Sequence, residues 1–367
     1  MSQIEIFFEL LRAGLWDADI EPFATKPKWE EIYEWAKKQS VIAIILDGML
    51  KLPNGYVPSA VLLSWLKLSV RIERTNTQHN ADLCKLVDLF DWKGINTRLM
   101  KGQGCAIYYP HPEHRQSGDI DLFVGEEQYE KAKQLIEEAG IVINSEGICD
   151  AHFSCGKTLV EMHRKEILFY NKQLNRRIQQ ICREEEWTTP QYINIEKQKI
   201  ALFNPTFNVF YIFIHFYHHF MQVGIGLRQI CDWMLVMKSL ENDIDRVKLK
   251  EYVVSMKVLR AWQAFYGLTV EYMGLKLSDA PSWMRSYSMG DVSFLLKDIM
   301  DSGNFGKYNE YSKKRNFHSG LLTNVSPFVA LTKRLVRVSK FGYREALAYP
   351  LWKMTQDKQM WNRYKTR

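Results

Sequence analysis

Three features of the 367-residue sequence predict an α+β fold in which a small mixed β-sheet, α/β in character, is flanked by helical segments. Short apolar runs at 95–100, 119–124 and 158–163 carry the period-two pattern of strands. Residues 126–139 have a helical pattern and lie between the last two runs, as a strand crossover requires. On both sides of this middle region the apolar spacing changes to the three-to-four period of amphipathic helices.

In chain order, Ile4, Phe7, Phe8, Leu11 and Leu15 form one helical stripe, and 29–39 and 41–50 continue the pattern. Pro58 opens a helix to Arg74, and another runs from Thr75 to Lys93 and stops at Gly94. The strand at 95–100 leads to a short helix at 103–109, a loop at 110–118 and the strand at 119–124. A helix at 126–139 stops at Gly140, and strands follow at 141–144, 152–154 and 158–163. After Asn204-Pro205, helices are expected at 205–222, 226–240, 246–256, 258–274 and 291–300, and 302–318 reads as a linker. The expected divisions are a helical segment (1–93), the mixed core (94–203), a helical domain (204–302) and a basic C-terminal segment (303–367).

A hydrophobic content of 46% and a charged content of 25% match an ordinary soluble globular protein. The six cysteines show no paired framework, which points to reduced thiols and a cytoplasmic protein. Cys149, His152 and Cys155 lack a further Cys or His to complete a tetrahedral set, so they read as buried small residues. The most apolar run, 207–220, is too short to span a bilayer, and the N-terminus lacks a signal-peptide pattern. Residues 313–367 hold thirteen Lys/Arg against two Asp/Glu, a local +11 that leaves −4 for the rest of a +7 chain. That segment suits a polyanionic or protein partner, or a solvated helix with Leu331, Leu335 and Val338 on its docked side.

The chemistry concentrates at 115–124. Asp119 and Asp121 share one strand face, and two carboxylates so close repel unless a cation or a proton compensates them. A hard divalent ion with substrate phosphates uses such a pair, and Glu161 on another strand supplies a third carboxylate. Lys101-Gly102 stands at a strand-to-helix turn, where free backbone N–H groups favour phosphate. Arg115 either clamps a phosphate or pairs with Glu113, and Glu161 alternatively pairs with Arg164 or Lys165. His215 and His219 are one helical turn apart but lack the intervening Glu of a metalloprotease helix, so they read as core histidines satisfied by hydrogen bonds or as a wall of the cleft. Arg228 and Asp232 are likewise one turn apart and are expected to pair.

The elements Lys101-Gly102, Tyr109-Pro110, Arg115-x-x-Gly118-Asp119-Ile120-Asp121-Leu122, Glu161-Met162-His163 and Gly226-Leu227-Arg228 with Asp232 carry a resemblance. Across about residues 95–240 the chain resembles the polymerase-β-like nucleotidyltransferase superfamily, and within it a bacterial family of nucleotidyltransferases. The resemblance implies transfer of NMP from an NTP to an acceptor hydroxyl, the acceptor being unidentified. It implies Mg²⁺ as cofactor, two ions, with Mn²⁺ as an alternative, held by Asp119, Asp121 and Glu161 as catalytic carboxylates. Lys101, Gly102, Gln103, Arg115, Ser117 and Gly118 would bind the nucleotide. His163, His215, His219 and Arg228 would line the cleft. Superfamily members usually carry Gly-Gly or Gly-Ser at the first turn, whereas Gly102-Gln103 stands here. That difference favours an alternative, a catalytically silent nucleotide-binding or scaffold protein with the same fold. A metal-dependent phosphohydrolase using the histidines at 215–219 is a third reading.

Overall fold

The structure, a computed structural model, describes residues 1–308 and 325–352, with side chains from 331 in the latter stretch. Helices α1 (Gln3–Trp16), α2 (Trp29–Gln39) and α3 (Ile42–Leu50) precede α4 (Ser59–Trp92), which is 34 residues long. Two helices are expected over that last span. No glycine or proline interrupts it, so one continuous helix forms. Helices α1 and α3 cross with backbones nearly touching. A Cβ on Gly14 would lie 1.9 Å from the Ile44 carbonyl oxygen, and one on Gly48 would lie 2.1 Å from that of Leu10.

The central sheet is five-stranded and mixed. It contains β1 (Arg98–Leu99), β2 (Asp119–Phe123), β3 (Ile143–Glu146), β4 (Asp150–Cys155) and β5 (Thr158–His163), in the order β1-β2-β5-β4-β3. Only β2 and β5 pair in parallel. Helix α5 (Gln103–Ala106) follows β1, and α6 (Gly125–Glu138) leaves β2. Ile120, Leu122, Ala151, Phe153, Val160 and Met162 alternate onto one face. They form one apolar cluster with Leu83, Leu86 and Phe90 of α4 and Tyr129, Ala132 and Ile136 of α6. That burial leaves the opposite face to the polar side chains of the same strands.

Two elements were not expected between 164 and 204: α7 (Lys172–Glu185) and the hairpin β6 (Gln191–Ile195) with β7 (Gln198–Leu202). The hairpin turn is Glu196-Lys197, with Glu196 at φ +52°, and it lacks the Asn-Gly pair that usually marks such a turn. The expected helices after Asn204 form as α8 (Pro205–Gln222), α9 (Leu227–Ser239), α10 (Arg246–Ser255) and α11 (Leu259–Met273). A short α12 (Ser282–Arg285), α13 (Met289–Ser302) and α14 (Val325–Val338) follow. One apolar core joins residues from Ile6 to Ala346.

Part of the basic segment packs against this core. Arg334 is buried and donates to Asp298 at 3.1 Å and to the Phe220 carbonyl, while Lys340 pairs with Asp291 at 2.7 Å. Residues 309–324 and 353–367, which include much of the expected linker and basic tail, lie outside those described.

Candidate active site

The polar face of the sheet brings three strands to one point. The parallel register sets Asp121 directly beside Glu161, and the antiparallel register sets His152 beside Glu161 and Asp150 beside His163. Asp119 and Asp121 on β2, Glu161 and His163 on β5, and Asp150 and His152 on β4 therefore share one face. Asp121 is 1% exposed, while Asp119, at the open end of β2, is only partly buried.

Lys101, between β1 and α5, is the nearest compensating charge. Its ammonium lies 2.8 Å from Asp121 Oδ1 and 3.0 Å from His215 Nε2 on α8. His163 Nε2 approaches the same Asp121 oxygen at 3.3 Å and Glu161 Oε2 at 3.6 Å. On the far side of Glu161, His152 Nδ1 is 3.5 Å away, and its Nε2 meets Asp150 at 3.1 Å.

Electrostatics separates the two aspartates. Burial would raise the Asp121 carboxyl, but Lys101 and the contact from His163 outweigh it and hold the group well below the usual carboxylate range. Burial and the neighbouring Asp121 charge push Asp119 upward. Burial would lower His163, but Asp121 and Glu161 outweigh it and raise the ring to about 9. Burial and the Lys101 charge keep His215 neutral, and the same causes lower His219 to about 4.

The approach to the carboxylates is held from three sides. Asn76 of α4 donates to the Glu113 and Arg115 carbonyls at 2.6 and 2.8 Å, and His114 meets Asp47 at 2.7 Å. Asp232 of α9 accepts from Arg115 at 2.7 and 2.8 Å and from the Tyr109 hydroxyl at 2.7 Å. The expected Arg228–Asp232 pair is therefore replaced. Asp232 takes Arg115, whose planar fork fits a carboxylate bidentately, and Arg228 donates to the Gln116 carbonyl at 2.8 Å. Arg115 is turned to Asp232, and not to Glu113. Glu161 is likewise not paired with Arg164 or Lys165, which reach Glu146 and Glu126.

A family model described as an uncharacterised nucleotidyltransferase matches residues 25–274. The chain belongs to that family. Comparison with curated proteins gives no match, and comparison with solved structures gives none. The matched span runs from α2 through α11 and includes every side chain of the site.

In this nucleotidyltransferase the strand-to-helix turn brings main chain close to β2. Gly102 has φ +62°, and a Cβ there would sit 3.4 Å from the Asp119 carbonyl oxygen. Gly118 is exposed, with open space around it just before Asp119, and Ser117 is partly buried beside it. Gln103 is buried and its amide donates to Asn80 at 2.6 Å, which ties the turn to α4. His215 and His219 stack edge to face with ring centres 4.7 Å apart. His215 meets Lys101, whereas His219 packs against Phe305.

The donor set fits a divalent ion. Ligand atoms of Asp121, Glu161 and His163 lie within 4.8 Å of one another, and two of the three are carboxylates. Asp150 and His152 were missed as site residues. Period-two reading of β4, joined to β5 by the two-residue Gly156-Lys157 turn with Gly156 at φ +60°, is the signal that places both on the face of Glu161. None of the six cysteines is bonded to another, and no helix among the described residues is long and apolar enough to cross a membrane.

Proposed function

We propose that this nucleotidyltransferase moves NMP from an NTP to an acceptor hydroxyl, with Asp119, Asp121 and Glu161 as its catalytic carboxylates. The observation carrying this reading is the register of β2 and β5, which puts Asp121 and Glu161 side by side with Asp119 at the open end. Asp121, Glu161 and His163 would hold a divalent ion, and Asp119 would complete its shell from the cleft. When bound, such an ion supplies Lewis-acid neutralisation of the triphosphate and of the leaving pyrophosphate.

The protein's own residues do the rest. The acceptor oxygen forms a bond to the α-phosphorus, the bridging bond to the β-phosphate breaks, and pyrophosphate leaves with that electron pair. Glu161 accepts the hydroxyl proton as general base. Lys101, with its side chain 21% exposed, is placed to offset negative charge on the phosphates. Gly102, Ser117 and Gly118 leave the backbone open to the nucleotide, with Gln103, Arg115 and Arg228 fixing that approach. His163, His215 and His219 form the cleft wall.

Calorimetric binding of the four NTPs, with and without a divalent ion, tests the reading on wild type and on Asp119→Ala/Asp121→Ala. Ion-dependent binding that disappears in the double variant supports it, and ion-independent binding kept by that variant overturns the metal site. The silent-scaffold alternative has one observation in its favour, a built-in ammonium already 2.8 Å from Asp121. It predicts NTP binding without pyrophosphate release for any acceptor.

A further inference from the structure

The ion-binding cluster contains a nitrogen donor. His163 follows Glu161 by two residues on β5, so both side chains emerge on the face that carries Asp121. Its Nε2 is 3.3 Å from Asp121 Oδ1 and 3.6 Å from Glu161 Oε2. Two ligands on one ion with bonds of about 2.1 Å stand roughly 3.0–3.4 Å apart, so these separations need only a small contraction. The ring is 6% exposed, which leaves Nε2 no solvent-facing role.

The other edge of the ring has the surroundings of a metal-bound histidine. Nδ1 is buried without a hydrogen bond, and the nearest partner is Asp150 Oδ2 at 3.9 Å. Asp150 is itself steadied by His152 Nε2 at 3.1 Å. A contraction of less than about 1 Å would let that carboxylate accept from Nδ1–H, which would fix the tautomer and leave Nε2 to the ion once the ion displaces the proton held there. Mg²⁺ takes oxygen ligands and loses its waters reluctantly, whereas imidazole suits first-row transition ions, whose affinities rise from Mn²⁺ toward Cu²⁺.

We infer that His163 is a nitrogen ligand in the ion-binding site with Asp121 and Glu161, and that this centre selects a first-row transition ion over Mg²⁺. The inference rests on the metal-dependent reading of the site and specifies which ion that site takes.

The probe is Mn²⁺ alone, titrated into the full chain and followed by electron paramagnetic resonance, with electron spin echo modulation to detect bound nitrogen. Wild type should bind Mn²⁺ with a histidine nitrogen signal and retain it against an excess of Mg²⁺. His163→Gln should lose the nitrogen signal and bind Mn²⁺ on the order of tenfold or more weaker. Nitrogen coupling that persists in His163→Gln assigns the ligand to another histidine and overturns the inference. Mn²⁺ bound without nitrogen coupling, or displaced readily by Mg²⁺, also overturns it while leaving metal dependence standing. If wild type binds neither Mn²⁺ nor Mg²⁺, the metal-dependent reading falls as well. Should His163→Gln fail to fold, the wild-type nitrogen signal and the Mg²⁺ competition decide the question.

Discussion

Asp121 draws its electrostatic support from a residue twenty positions earlier in the chain. Lys101 Nζ lies 2.8 Å from a carboxylate that is 1% exposed, and removing one partner of such a pair leaves the other charge buried alone. Lys101→Met should lower stability by about 3 kcal/mol in the absence of divalent ions. If Asp121 binds an ion, added Mn²⁺ should raise the melting temperature of this variant more than that of wild type. Equal shifts would disconnect Lys101 from the ion site. A second residue behaves oppositely. Glu166 is 5% exposed, one of its oxygens has no partner, and burial raises its carboxyl to about 7. Below pH 4.5 both folded and unfolded forms are protonated. As pH rises toward 7 the unfolded chain releases its proton first, so the folded state loses stability. The loss is on the order of 3 kcal/mol above neutrality. Glu166→Gln should remove that slope, and denaturation at pH 5 and pH 8 checks it.

Single elements show how far pattern alone carries a reading. The stripes that become α1, α3, α8, α9 and α11 could be read because a buried helix face repeats in the chain itself. The Asp119–Asp121 strand could be read for a similar reason, since period two makes its two faces explicit. The β6–β7 hairpin could not, because Glu196 occupies a left-handed turn position usually held by Asn or Gly. Nor could the Arg115–Asp232 pair, because side chains 117 residues apart are joined only by the packing of α9 on the loop. The α1–α3 crossing gives a sharp prediction at this scale. Gly48→Ala puts a methyl group 2.1 Å from the Leu10 carbonyl oxygen, so the helices must separate. Chemical denaturation should report a loss of about 2–3 kcal/mol. A loss under about 1 kcal/mol would show that the two helices part without disturbing the core they share.

Taken whole, the molecule joins its N-terminal helices, α8 to α13 and the described C-terminal helices in one apolar core. That arrangement changes how the excess of basic residues is understood. Arg334 and Arg337 both meet the buried Asp298, and Lys340 meets Asp291, so these charges help fasten α14 and the residues after it. Charge counting could not separate such internal ion pairs from a surface offered to a partner. Asp298→Asn leaves Arg334 buried against a neutral side chain and should cost about 3 kcal/mol. Limited proteolysis should then cleave the C-terminal segment before the sheet core, and simultaneous cleavage of both would show that the two do not separate.

Glu345 accepts hydrogen bonds from the Tyr170 and Asn171 backbones at 2.7 and 3.0 Å, joining positions 175 residues apart. Arg12 donates to the Tyr272 carbonyl across 260 residues. During synthesis these partners leave the ribosome far apart in time, by roughly 10–35 s for the nearer pair at ordinary elongation rates. For that interval the loop after β5 lacks its acceptor, and the early helices expose apolar faces that α11 later covers. The N-terminal helices therefore complete their packing only after α11 has been made, since Arg12 and Trp16 donate to the Tyr272 and Met273 carbonyls at its end.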